Sequence, residues 1–178
     1  SNELPKQSLN YYAQLFRSAY PEEENSTKEF LQNISGTNIF RFYNIEHGQR
    51  LRFDPLNGSC ILEIKRVSVN VAGKKERIEI VGSNAAYAKE GIYVFLTEDP
   101  IIELGIITEK KIDCLEIAID YISVNGEQIR KCVKSIEGAS YIDGDETWIQ
   151  LEDLTHYSYQ RSNKRICDAV DELLEVIQ

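Results

Sequence analysis

The run "IDCLEIAIDYISV" (residues 112–124) decides the fold class. Leu115, Ile117, Ile119 and Tyr121 fall on one parity, and Glu116, Ala118 and Asp120 on the other. A period of two over this length marks a half-buried strand, because successive side chains of a strand point to opposite faces. The Asn125-Gly126 pair then closes it with turn chemistry. Upstream, "CILEIKRVSVNV" (60–71) alternates with one irregularity: Leu62 and Ile64 lie on even positions, Val67, Val69 and Val71 on odd ones. No regular strand keeps both sets inward, so a β-bulge or bend is expected at Lys65-Arg66.

Other segments follow the same pattern. "TNIFRFYNI" (37–45) sets Ile39 and Arg41 against Phe40 and Phe42. "LNYYAQLFRSAY" (9–20) is an aromatic strand that turns either Tyr12, Gln14 and Phe16 or Tyr11, Ala13 and Leu15 inward, and the "PEEENSTKEF" after it reads as a polar turn. "AGKKER" (72–77) reads as a hairpin loop leading into "IEIVG". "GIYVFLTEDP" (91–100) is apolar on both faces up to Leu96, which predicts a central strand, and "IIELGII" (101–107) follows. Many short strands with turns between them and no helical period among them predict a mainly β domain over 9–124, an antiparallel β-sandwich or barrel.

The last third differs. "EQIRKCVKSIEG" (127–138) places Ile129, Val133 and Ile136 at helical spacing, with a strand as the alternative. "RSNKRICDAVDELLEVIQ" (161–178) repeats Ile166, Val170, Leu173 and Ile177 as an amphipathic C-terminal helix with a heptad-like seam suited to self-association. The chain has no methionine and opens on Ser-Asn, the residue pair a cleaved tag leaves. Residues 1–8 are therefore expected to be a scar and disordered lead-in. Residues 125–178 are expected to be a mixed extension leading to a further domain of a longer protein.

Composition narrows the function classes. With 178 residues, 42% of them hydrophobic, the chain can bury a core without disulfides or metal. Its formal charge of −9 disfavours nucleic acid and anionic membrane surfaces as partners. No apolar run is long enough for a transmembrane helix and no signal peptide opens the chain, so a soluble protein is expected. Cys60, Cys114, Cys132 and Cys167 form no CxxC pair, and we read them as small buried hydrophobes of a reducing, cytoplasmic compartment rather than disulfides or metal ligands.

No catalytic motif emerges. His47 and His156 stand in no metal-ligand spacing. "DGDETWIQLE" (143–152) begins like a calcium loop but has Trp148 where that loop needs glycine. Nucleotide-cradling glycine motifs are absent, so no cofactor and no metal are expected. Among 29 acidic residues, pairs such as Glu98-Asp99 or Glu116 with Asp120 arise readily, and solvated surface is the default reading. Trp148, Tyr157 and Tyr159 suit either sugar stacking or a lid over a sheet.

The stretch "LRFDPLNGSC" (51–60) carries the most distinctive polar groups. Leu51 and Phe53 share one strand face, Arg52 and Asp54 the other, and Pro55 ends the strand because it has no N–H to donate. Asn57-Gly58 is expected to supply a tight turn at positive φ. Arg52 and Asp54 form either an ion pair that pins the turn or a ligand contact. With Asn57 and the second Asp-Pro turn at Glu98 and Asp99, they make up a candidate ligand-binding rim, one that would hold glycan weakly.

The segments "YYAQLF", "EEENS", "LRFDPLNGSCILEIKRVSV", "YVFLTEDPIIELGI" and "KIDCLEIAIDYISV" resemble an accessory β-sandwich module found beside catalytic domains of bacterial glycosyltransferases and methyltransferases that build O-antigen, rhamnan-type and other surface polysaccharides. The resemblance spans roughly residues 10–124 and is strongest at the LRxDPL strand end and at Thr97-Glu98-Asp99-Pro100. It implies a jelly-roll-like, noncatalytic domain that touches carbohydrate or packs against a neighbouring catalytic domain of the same chain. The alternative is an interaction or oligomerisation module with no sugar ligand, and a small hydrolase is a third reading.

Overall fold

The structure, a computed structural model, describes residues 10–18, 22–46, 50–105, 109–127 and 129. Among these residues eleven strands run in chain order: β1 (Tyr12–Phe16), β2 (Ser26–Phe30), β3 (Thr37–Phe42), β4 (Arg50–Asp54), β5 (Cys60–Val71), β6 (Lys74–Arg77), β7 (Glu79–Ser83), β8 (Tyr87–Lys89), β9 (Ile92–Phe95), β10 (Ile102–Gly105) and β11 (Cys114–Ser123). They form two antiparallel sheets. The first has the order β2-β1-β4-β10-β7, the second β3-β11-β5-β9-β8, with β6 also paired to β5.

The inward parity of each sheet builds one core. Leu15, Leu51, Phe53, Ile102 and Leu104 of the first sheet join Phe40, Phe42, Leu62, Val69, Leu115 and Ile119 of the second in a single buried cluster. Phe53 bridges the layers, its ring centroid 6.2 Å from Phe40 and 6.0 Å from Phe42. A second link is polar: the buried Tyr121 hydroxyl of β11 donates to the Pro55 carbonyl just past β4, at 2.6 Å.

The β5–β11 ladder shifts register between Ala118 and Ile119, pairing Ala118 with Arg66 and Ile119 with Ile64. Lys65 is the additional residue, so the bulge lies where the parity of the valines changes. On its other edge β5 pairs β9 over Cys60–Glu63 and β6 over Ser68–Val71, which leaves a gap beside the bulge.

Three local expectations are corrected. "STKEF" is edge strand β2 rather than turn, because β1 offers it a full ladder; only Glu23–Asn25 before it turn, as a 3-10 helix. The loop expected over "AGKKER" shrinks to Ala72-Gly73, both at positive φ (50° and 76°), and Lys74–Arg77 pair back onto β5. Neither Asn57 nor Gly58 adopts positive φ. Instead the Asn57 side chain acts as a strand edge, accepting from the Tyr12 backbone N–H at 3.2 Å and donating to the Asn10 carbonyl at 3.0 Å.

After β11, Asn125 caps a helical turn, its side-chain oxygen accepting from Glu127 N–H at 3.1 Å and its carbonyl from Ile129 N–H at 3.2 Å. The C-terminal amphipathic helix expected over 161–178 lies outside the described residues, as do His47, Cys132, Trp148, His156, Tyr157, Tyr159 and Cys167. Among the described residues no helix is long and apolar enough to cross a membrane.

Candidate functional site

The outer face of the first sheet carries the predicted rim. Residues paired directly across a ladder share a face, and the registers set Phe16 opposite Arg52, Gln14 opposite Asp54, and Glu103 opposite Arg52. Arg52 grips Asp54 with two parallel bonds, Nε to Oδ1 at 2.8 Å and Nη2 to Oδ2 at 2.9 Å. The same Nη2 reaches Asp99 Oδ1 at 3.2 Å, and the guanidinium sits 5.2 Å from the Phe16 ring centroid. The hydrogen bond to Asp54 raises the Arg52 pKa, so the guanidinium stays charged. Burial pushes Asp54 upward, against the pull of Arg52. The bidentate geometry keeps the pair ionised at neutral pH.

Of the five rim residues, the structure thus brings Arg52, Asp54 and Asp99 together. The Asp99-Pro100 turn is held by Asn84, which donates to the Asp99 carbonyl and accepts from Ile101 N–H, both at 2.8 Å. Glu98 is exposed in the same turn. Asn57 binds the start of β1 instead. One guanidinium between two carboxylates leaves surplus acceptors, chiefly on Asp99, whose side chain is 69% exposed. Such a cluster can accept hydrogen bonds from ligand hydroxyls.

The reading of the sequence missed the aromatic half of this face. Phe30, 50% exposed, meets Tyr12 edge-on at 5.9 Å, and Lys28 Nζ lies 4.9 Å from the Tyr12 centroid. Tyr12, Gln14 and Phe16 form the row that joins these rings to Arg52. Assigning "STKEF" to a turn hid Phe30; its terminal aromatic was the one available signal.

The outer face of the second sheet holds a cluster built on Glu116, which the sequence assigned to solvated surface. That assignment is corrected: the Glu116 side chain is only 8% exposed. Arg41 of β3 reaches it through Nε at 3.1 Å, Arg66 of β5 through Nη2, and Lys75 of β6 at 3.6 Å. The hydrogen bond from Arg66, reinforced by the other cations, holds the Glu116 carboxyl below the usual range.

A cleft of about 220 Å³ opens at the bulge gap, with Ile64, Val67, Ile78, Ile80 and Tyr93 among its lining. Burial pushes the Tyr93 phenol up, and no described residue hydrogen-bonds its hydroxyl. Cys60 and Cys114 are buried free thiols. No group of three or more potential metal ligands occurs among the described residues. No protein-family model, curated protein or solved structure matches the chain.

Proposed function

We propose that the chain is a noncatalytic glycan-contacting module, a β-sandwich of jelly-roll-like form that serves a cytoplasmic bacterial surface-polysaccharide glycosyltransferase as an accessory domain. The resemblance at the LRxDPL strand end and the Glu98-Asp99-Pro100 turn supplies the pathway. The binding half of the reading rests on one observation, the half-exposed Phe30 beside Tyr12 on the face that also carries Arg52, Asp54 and Asp99. An aromatic ring accepts the C–H face of a sugar, while carboxylate acceptors take its hydroxyls. Gln14 and Phe16 of that row are buried, so few groups of the face are exposed and affinity is expected near the millimolar end, about −4 kcal/mol.

Amide NMR titration with neutral oligosaccharides tests this. Shifts are expected along Tyr12, Lys28, Phe30 and Asp99, and they should vanish in a folded Phe30→Ala, Asp99→Asn double variant. Unchanged shifts in that variant, or none with any glycan, would refute the reading.

The interaction-module alternative also has an observation behind it. Ile39 and Tyr43 are 45% and 56% exposed, the first on edge strand β3 and the second just beyond it. Self-association through that edge predicts a concentration-dependent sedimentation coefficient, abolished by Ile39→Lys.

A further inference from the structure

We propose that the outer face of the second sheet is a docking surface for an acidic polysaccharide, a glycan strand carrying carboxylates on its sugar rings. The site is distinct from the first sheet's face and stands on separate observations. In a chain of net charge −9, Arg41, Arg66 and Lys75 converge on the buried carboxylate of Glu116. Three cations around one anion leave two positive charges in excess.

The registers continue the patch. Glu116 pairs with Arg41 on one side and Ser68 on the other, Ser68 pairs with Arg77, and Asn70 with Lys75, so these groups share one face. Arg77 is exposed and has no ion-pair partner among the described residues. Side-chain exposures of 53% for Arg41, 47% for Arg66 and 59% for Lys75 show that the bound cations still face solvent.

Glu116 uses little of what these cations offer. It takes Nε of Arg41 and Nη2 of Arg66, and each guanidinium has five N–H donors in a planar fork that matches a carboxylate. The buried acid therefore holds the guanidinium groups in place with donors to spare, which lowers the ordering entropy a ligand would have to offset. The surface is laid out along strands about 4.8 Å apart, which suits an extended polyanion.

The centre of the patch also selects the class of partner. Stable protein interfaces have an apolar core depleted in charge. Here the centre is Glu116, Arg66, Ser68 and Lys75, with Ile39 only at the edge strand. A hydrophilic polymer fits better than a protein partner.

The test is titration of the intact chain with oligogalacturonate, followed by amide NMR and calorimetry. Malto-oligosaccharide, poly-glutamate and a DNA oligomer serve as comparison arms. Oligogalacturonate is expected to shift Arg41, Arg66, Ser68 and Lys75 and to weaken with added salt. Arg41→Gln and Lys75→Gln should each reduce affinity about fivefold, as for a part-exposed ion pair. Arg77→Glu should reduce it by at least as much, and because Arg77 has no ion pair among the described residues its loss tests binding without disturbing Glu116. Unchanged affinity in the three folded variants overturns the proposal. So does tighter binding of poly-glutamate or DNA, or no binding of oligogalacturonate. Shifts confined to Tyr12, Lys28 and Phe30 also overturn it, while leaving the first sheet's glycan-binding role standing.

Discussion

Tyr121→Phe probes the fastening between the two sheets. The substitution keeps the ring and its edge-on contact with Phe40 at 6.5 Å. It removes one oxygen, and with it the 2.6 Å bond to the Pro55 carbonyl. Tyr121 is 2% exposed and Pro55 is buried, so the carbonyl has no route to bulk solvent once its donor is gone. A buried acceptor left unsatisfied costs ~1–3 kcal/mol, and we take ~2 kcal/mol. The vacated volume is that of one oxygen, and its cavity contribution is small beside this. At typical m-values that loss moves the urea midpoint by about 1 M with m unchanged. The control is Tyr93→Phe, the same chemical edit on a ring stacked with Phe95 whose hydroxyl meets no described partner. It should shift stability by no more than ~0.5 kcal/mol. Equal losses for the two variants, measured by urea denaturation, would refute the fastening role.

Arg52→Ala should destabilise by about 2 kcal/mol, between the values for exposed and buried pairs, because Asp54 is 13% exposed and loses both bonds. Adding Asp54→Asn should recover part of the loss, and denaturant melts of the single and double variants read this directly. The depressed Glu116 pKa makes its carboxylate stabilising above the unfolded value of about 4.5, with that contribution lost as pH falls through the lower folded value. Glu116→Gln should accordingly flatten the acid limb of a stability–pH curve while lowering the plateau. Burial pushes the Cys60 thiol far up, so it should resist alkylation in the native state and react at a rate set by unfolding, as mass spectrometry can follow.

The fold is most legible in the sequence where one strand carries its own record. The shift from even to odd apolar positions around Lys65-Arg66 was visible because a bulge alters the pattern within the strand that bears it. Likewise Arg52 and Asp54, two apart on β4, meet through strand geometry alone. Turn chemistry was less legible. Asn57-Gly58 has the composition of a positive-φ turn, yet Asn57 is used for its amide, which completes the edge of β1 across 45 residues. Nothing local distinguishes an asparagine chosen for its backbone from one chosen for its side chain.

The charged clusters were illegible for a further reason. Asp99 joins Arg52 across 47 residues, and Arg41 joins Glu116 across 75. Each contact needs strand neighbours and registers that no single segment encodes. Glu116 did leave a trace: Cys114 and Ala118, its neighbours on the same face, are small and uncharged, where a solvated face would carry longer polar side chains. Small flanks let the side chains of the adjoining strands lie over the carboxylate. Arg41 enters from β3, Arg66 and Lys75 from the opposite side, and burial of the acid follows from their convergence. Enlarging a flank without adding charge, as in Ala118→Leu, is expected to displace Arg66, its cross-strand partner. Glu116 would then become more exposed and its pKa would rise toward the ordinary value. Carboxyl NMR titration can check this, and an unchanged pKa in a folded variant would mean that the flanks play no part in the burial.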